Sequence, residues 1–85
     1  MAQNINITDL TVASLSEKIF AIEYDVNNNP IFIGEAKPGS EKSSDSWRIK
    51  KLLWDAQENL SDIKWAEGSQ KFEFIWDQRA TYNYF

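Results

Sequence analysis

The chain has no cysteine and no histidine, and only three glycines, two prolines and one methionine among its 85 residues. Without cysteine there is no disulfide, thiolate nucleophile, zinc finger or iron–sulfur site. Without histidine, the commonest general base near neutral pH and the commonest metal ligand are both missing. Hard cations still have carboxylates to bind. Long apolar runs are absent too. The longest uninterrupted one is Ile19–Phe20–Ala21–Ile22, against about 20 residues for a membrane span. No basic head followed by an apolar run opens the chain, so no signal peptide is expected. Positive charge is also scarce: nine Lys and Arg stand against 13 Asp and Glu, a net charge of −4. A general nucleic-acid binder needs the opposite balance, because phosphate contacts consume cations. Nucleic acid and membrane are therefore not expected partners.

What the chain does have is aromatic side chains: four Trp, five Phe and three Tyr, 14 % of the sequence. With 42 % apolar and 26 % charged residues it is composed like a folded domain. Its length suits one domain, with about 60–65 % of the unfolded surface buried and hence a thin core.

Residues 1–16 hold no Lys, no Arg and no ring. Asn4-Ile5-Asn6-Ile7-Thr8 alternates with a strand period, and Leu10, Val12 and Leu15 follow without a clean one. This stretch reads as an N-terminal arm that adds a strand to its own sheet or lies on a neighbour. Residues 17–85 read as one small β-rich domain. From Lys18 to Asp25, Phe20, Ile22 and Tyr24 share a strongly apolar strand face. Val26–Pro30 is a hairpin loop built on residues that tolerate positive φ, and Ile31–Glu35 is the return strand. Ala36–Ser46, with Pro38, Gly39 and four serines, is a long loop expected to project into solvent. Trp47–Trp54 and Leu60–Ala66 are expected to pair as a second antiparallel hairpin around the polar turn Asp55–Asn59. Phe72, Ile75, Trp76 and Arg79 have helical spacing, so a helix is predicted over about Ser69–Arg79. Thr81–Phe85 finishes as a short strand. No solenoid repeat is read. Trp54, Trp65 and Trp76, eleven residues apart, mark successive strand-plus-turn units. The predicted fold is mainly β: a small antiparallel sheet or barrel-like domain of 4–6 strands, with one short C-terminal helix and the arm. Its expected core includes Phe20, Ile22, Tyr24, Trp65 and Trp76.

Few residues suggest chemistry. Asp55–Asn59 has oxygen atoms at alternate positions but lacks the glycine and distal glutamate of a cation loop. No metal, cofactor or catalytic residue is assigned. Arg48, Lys50 and Lys51 form the one basic cluster, a polyanion contact or a solvated strand face. Asp77 and Arg79 read as a structural clamp, with Arg79 over a ring. The tryptophans could stack sugars if exposed, but most are expected in the core.

A set of motifs occurs in order: Gly34-Glu35-Ala36-Lys37-Pro38-Gly39-Ser40, Trp47-Arg48-Ile49-Lys50-Lys51, Trp65-Ala66-Glu67-Gly68, Phe72, Trp76-Asp77-Gln78-Arg79-Ala80 and a late tyrosine. Across about Phe20 to Tyr84 this resembles a family of small domains encoded among the structural genes of tailed bacteriophages. Family members tend to carry glycine in the turn that Asp55–Asn59 occupies here. The resemblance implies a virion component, or the product of a gene beside virion genes, and no catalytic residues. The expectation is a non-enzymatic virion protein, made in the host cytoplasm, that binds another virion protein in many copies or as a homo-oligomer. Capsid decoration or head-fibre attachment is the leading role. A tail, neck or fibre module, or a carbohydrate-binding module using exposed Trp, is the alternative. The expected contact residues are Ile5, Ile7 and Leu10 in the arm, the Ala36–Ser46 loop, and Tyr82, Tyr84 and Phe85.

Overall fold

The computed structural model describes residues 17–85. The arm, with Ile5, Ile7 and Leu10, lies outside the described residues. Four strands, β1 (Ile19–Tyr24), β2 (Pro30–Ala36), β3 (Arg48–Trp54) and β4 (Leu60–Trp65), form one antiparallel sheet in chain order. A short 3-10 helix, Trp76–Thr81, follows. The protein is thus mainly β. The sheet is an open meander and not a barrel, since β1 and β4 are its two edges.

Pairs such as Ala21↔Gly34, Gly34↔Ile49 and Phe32↔Lys51 set one face of the sheet. Ile19, Ala21, Phe32, Gly34, Ala36, Ile49 and Ala66 lie on that face, which the C-terminal third of the chain covers. Phe74, Trp76, Tyr82 and Tyr84 pack down onto it, and Trp47 completes the cluster. Trp47 and Trp76 lie 6.0 Å apart, centroid to centroid. Gly34 makes room for both: a Cβ there would sit 2.6 Å from Trp76 Cε3 and 3.0 Å from Trp47 Cε3.

The core therefore lies on the face opposite to the one expected from β1. Phe20 is 62 % exposed, and Ile22 and Tyr24 are exposed as well. Trp65 is half-buried, and of the five expected core residues only Trp76 is buried. The reason is the small side chains of the alternate positions. Ala21, Gly34, Ala36 and Ala66 leave the hollow that two indoles fill, so the bulkier face of β1 is not the covered one. The predicted helix is also shorter and later. Residues 69–75 run as extended and turn backbone, tied to Trp47 by reciprocal Trp47–Phe74 bonds of 2.9 and 2.8 Å. Thr81–Phe85 contributes one isolated bridge, Ala66↔Tyr84.

The two hairpins close with the same turn. Asp25 Oδ1 accepts the backbone N–H of Asn27 and Asn29 at 2.8 and 3.0 Å. Asp55 Oδ1 accepts those of Gln57 and Asn59 at 2.9 and 2.8 Å. Asn28 and Glu58 both take positive φ, 67° and 63°, and each hairpin carries a register shift just before its aspartate. Ile19/Ile49, Asp25/Asp55, Asn29/Asn59, Ile33/Ile63 and Ala36/Ala66 repeat at an offset of 30. With one residue dropped, Gly39/Gly68, Ser40/Ser69, Lys42/Lys71 and Trp47/Trp76 repeat at 29. The stacked tryptophans end the two units. Both turns sit at the same end of the sheet, where Asn29 Nδ2 donates to Glu58 Oε1.

Candidate interaction surface

The C-terminal segment covers one face, and among the described residues no segment packs across the centre of the other. Its centre is an apolar band made of two offset pairs, Ile22↔Ile33 on β1 and β2 and Leu52↔Ile63 on β3 and β4, with Lys50 standing opposite Ile33 between them. Leu52 is only 7 % exposed yet stands apart from the main core cluster, because its cover comes from neighbours on this second face. Phe20, Tyr24 and Leu60 enlarge the band and are exposed. Contiguous apolar surface of this kind on a small domain marks an interaction site.

The end of this face away from the turns is edged by alternating cations and rings. Lys18 Nζ lies 5.8 Å from the Phe72 ring centroid, and the Arg48 guanidinium 4.8 Å from it. Arg48 is also 5.6 Å from the Trp65 ring, and Lys50 Nζ is 5.6 Å from Trp65. The order is therefore Lys18, Phe72, Arg48, Trp65, Lys50. Glu35 stands in this edging and binds Arg48 Nη2 at 2.7 Å. Arg48 Nε is buried with no hydrogen-bond partner among the described residues. Beside Phe72 a cleft of about 390 Å³ is lined by Lys18, Lys37, Ser40, Asp45 and Ser46. At the turn end the charge reverses: Asp25, Asp55 and Glu58 occur in the two turns without a Lys or Arg.

The expected site residues separate on this frame. Of the basic cluster, Arg48 and Lys50 lie on the bare face. Lys51 lies on the core face, 5.8 Å from both the Phe32 and Tyr84 rings. The three do not converge. Tyr82 packs edge-on to Phe74 at 5.1 Å, and its hydroxyl accepts the Ile75 N–H at 2.9 Å. Tyr84 lies 5.4 Å from Phe32 and donates its hydroxyl to the Arg79 carbonyl at 2.6 Å. Both rings pack within the domain and remain half-buried. Burial pushes the Tyr84 hydroxyl pKa up. Phe85 stays 70 % exposed while its backbone exchanges two bonds with Trp65, at 2.9 and 3.1 Å.

The Ala36–Ser46 loop keeps most of its side chains in solvent, but its backbone does structural work. The Glu41 carbonyl accepts the Trp47 indole N–H at 2.8 Å, and the Lys42 carbonyl accepts the Asp77 N–H at 3.0 Å. Arg79 lies over the Trp76 ring at 4.6 Å, as a clamp should, but its carboxylate partner is Glu23 at 2.8 Å and not Asp77. Asp55 is engaged by its own turn through Oδ1. Backbone donation, from Asn59 above all, holds its carboxyl below the usual range, and the group serves its own turn. Trp47 and Trp76 are buried, while Trp54 and Trp65 are half-buried. The Trp54 indole N–H is bound to the Pro30 carbonyl at 2.8 Å.

Sequence reasoning missed Lys18 and Phe72 as members of this surface. The signal was present in the offset of 30, which places Lys18 at the position of Arg48. No family model, no curated protein and no solved structure matches this chain.

Proposed function

We propose that the protein is a non-enzymatic component of a tailed-bacteriophage virion that holds another virion protein through the bare face of its sheet. Capsid decoration or head-fibre attachment is the leading role, and a tail, neck or fibre module is the alternative. The observation that carries this reading is the apolar patch of Phe20, Ile22, Tyr24 and Ile63, left exposed among the described residues while the C-terminal segment packs onto the other side of the sheet. Burial of apolar surface there, at about 25 cal/mol per Å², is the driving force for docking. The virion assignment rests on the ordered Trp-Ala-Glu-Gly and Trp-Asp-Gln-Arg-Ala motifs. A sugar-stacking module has less support, since no Trp falls in the exposed class.

Mass spectrometry of separated heads and tails from purified particles tests the location. Replacing the exposed Ile22 and Ile63 by serine is expected to strip the protein from particles while leaving its fold intact by circular dichroism. Full occupancy of the double variant sinks the reading. Removing residues 2–10 in a parallel variant tests the arm as the anchor instead.

A further inference from the structure

We propose that the bare face binds the same face of a second copy, giving a two-fold symmetric β-sandwich whose axis runs across the strands. The inference rests on the reading of this face as the docking surface and names its occupant. The face has three zones along the strand direction. Lys18 and Arg48 stand at one end with Lys50 one step in, level with Ile22 and Ile33; the apolar band lies in the middle, and the turns with Asp25, Asp55 and Glu58 form the other end. Strands of six or seven residues separate the two ends by roughly 20 Å.

A two-fold axis across the strands reverses strand direction between the copies. It therefore lays the basic end of each copy over the acidic turns of the other and the two apolar bands over each other. One patch is complementary to itself, as an isologous interface demands. Sheets stacked face to face lie about 10 Å apart, a gap that interdigitating Phe20, Ile22, Leu52 and Ile63 side chains fill. A partner of uniform acidity would satisfy the basic end alone and leave the three turn acids opposed by like charge.

Size sets the affinity. Four strands about 4.8 Å apart and about 20 Å long give a footprint near 400 Å² per copy, so about 800–1,200 Å² for the pair. That is the low end of specific interfaces and implies reversible dimers at micromolar concentration.

Sedimentation velocity on the full chain, from about 5 to 300 µM, is expected to show monomer giving way to dimer, with weaker dimerisation in high salt. Monomer at every concentration overturns the proposal. Two variants fix the orientation. Lys18→Glu with Lys50→Glu makes the edging acidic, and Ala56→Lys with Glu58→Lys makes the turn end basic. Each alone is expected to weaken dimerisation at least about tenfold, and an equimolar mixture to restore a one-to-one heterodimer. Dimers indifferent to both variants, or a mixture that stays monomeric, overturn the two-fold arrangement. A monomeric protein that still needs Ile22 and Ile63 to remain on particles overturns the dimer alone and leaves the docking reading standing.

Discussion

Single residues decide which way this sheet turns its faces. Gly34 holds no special backbone angle; it is there because two indoles press on it. Gly34→Ala is expected to destabilise by about 1–3 kcal/mol through overpacking, read as a lower urea midpoint at unchanged slope. Trp76→Ala should cost about 3–5 kcal/mol, since it empties the middle of the core and removes the ring under Arg79. Tyr84 reports on pH. Its folded-state pKa is raised by burial, so its contribution is complete below the ordinary tyrosine value of about 10 and is lost as pH climbs past it. Tyr84→Phe keeps the ring against Phe32 and leaves the Arg79 carbonyl without its hydroxyl donor. A loss of about 0.5–1.5 kcal/mol at neutral pH is expected, with a shallower fall of stability above pH 10 in urea titrations.

At the scale of elements, the two hairpins are two versions of one device. Asp25 and Asp55 each tie two backbone N–H groups. Asp55 has a lowered folded-state pKa, so its contribution is present above the ordinary aspartate value and fades as pH falls through the folded one. Asp55→Asn is expected to lower the urea midpoint at pH 7 and to blunt the acid-side loss of stability. The four strands, their pairing into two hairpins and both turns were legible in the sequence, because period-two alternation and Asn- and Asp-rich turns are local signals; the order of the hairpins in one sheet was not. The side of β1 that enters the core was not. Phe20, Ile22 and Tyr24 look like a core face until Gly34, Ala36 and Ala66 are placed beside Ala21, which only the cross-strand register does. The helix from Ser69 failed for a related reason. Phe74 is bonded to Trp47 by its backbone, and that long-range pairing outweighs a helical spacing of apolar residues. The bare face was half legible: Arg48 and Lys50 were singled out, while Lys51 belonged to the other side and Lys18 was passed over.

For the whole molecule, the division into a packed face and a bare one predicts how tryptophan emission responds to quenchers. Trp47 and Trp76 are buried in the core, while Trp54 and Trp65 are half-buried. At dilute concentration, iodide is expected to quench only a fraction of the fluorescence, and Trp54→Phe with Trp65→Phe to abolish most of that accessible fraction. Four equally quenched rings would contradict the packing described here.

The offset that relates Ile19 to Ile49 and Trp47 to Trp76 also makes sheet width an adjustable quantity. The seam between the two units falls between Trp47 and Arg48, at the start of β3, and each unit delivers its successor to the neighbouring position with the same polarity. Splicing another such unit at that seam would broaden the sheet by two strands, about 10 Å, and leave both outer strands as they are. A lineage carrying this protein could thus match a wider or narrower target by copying or losing one segment of DNA.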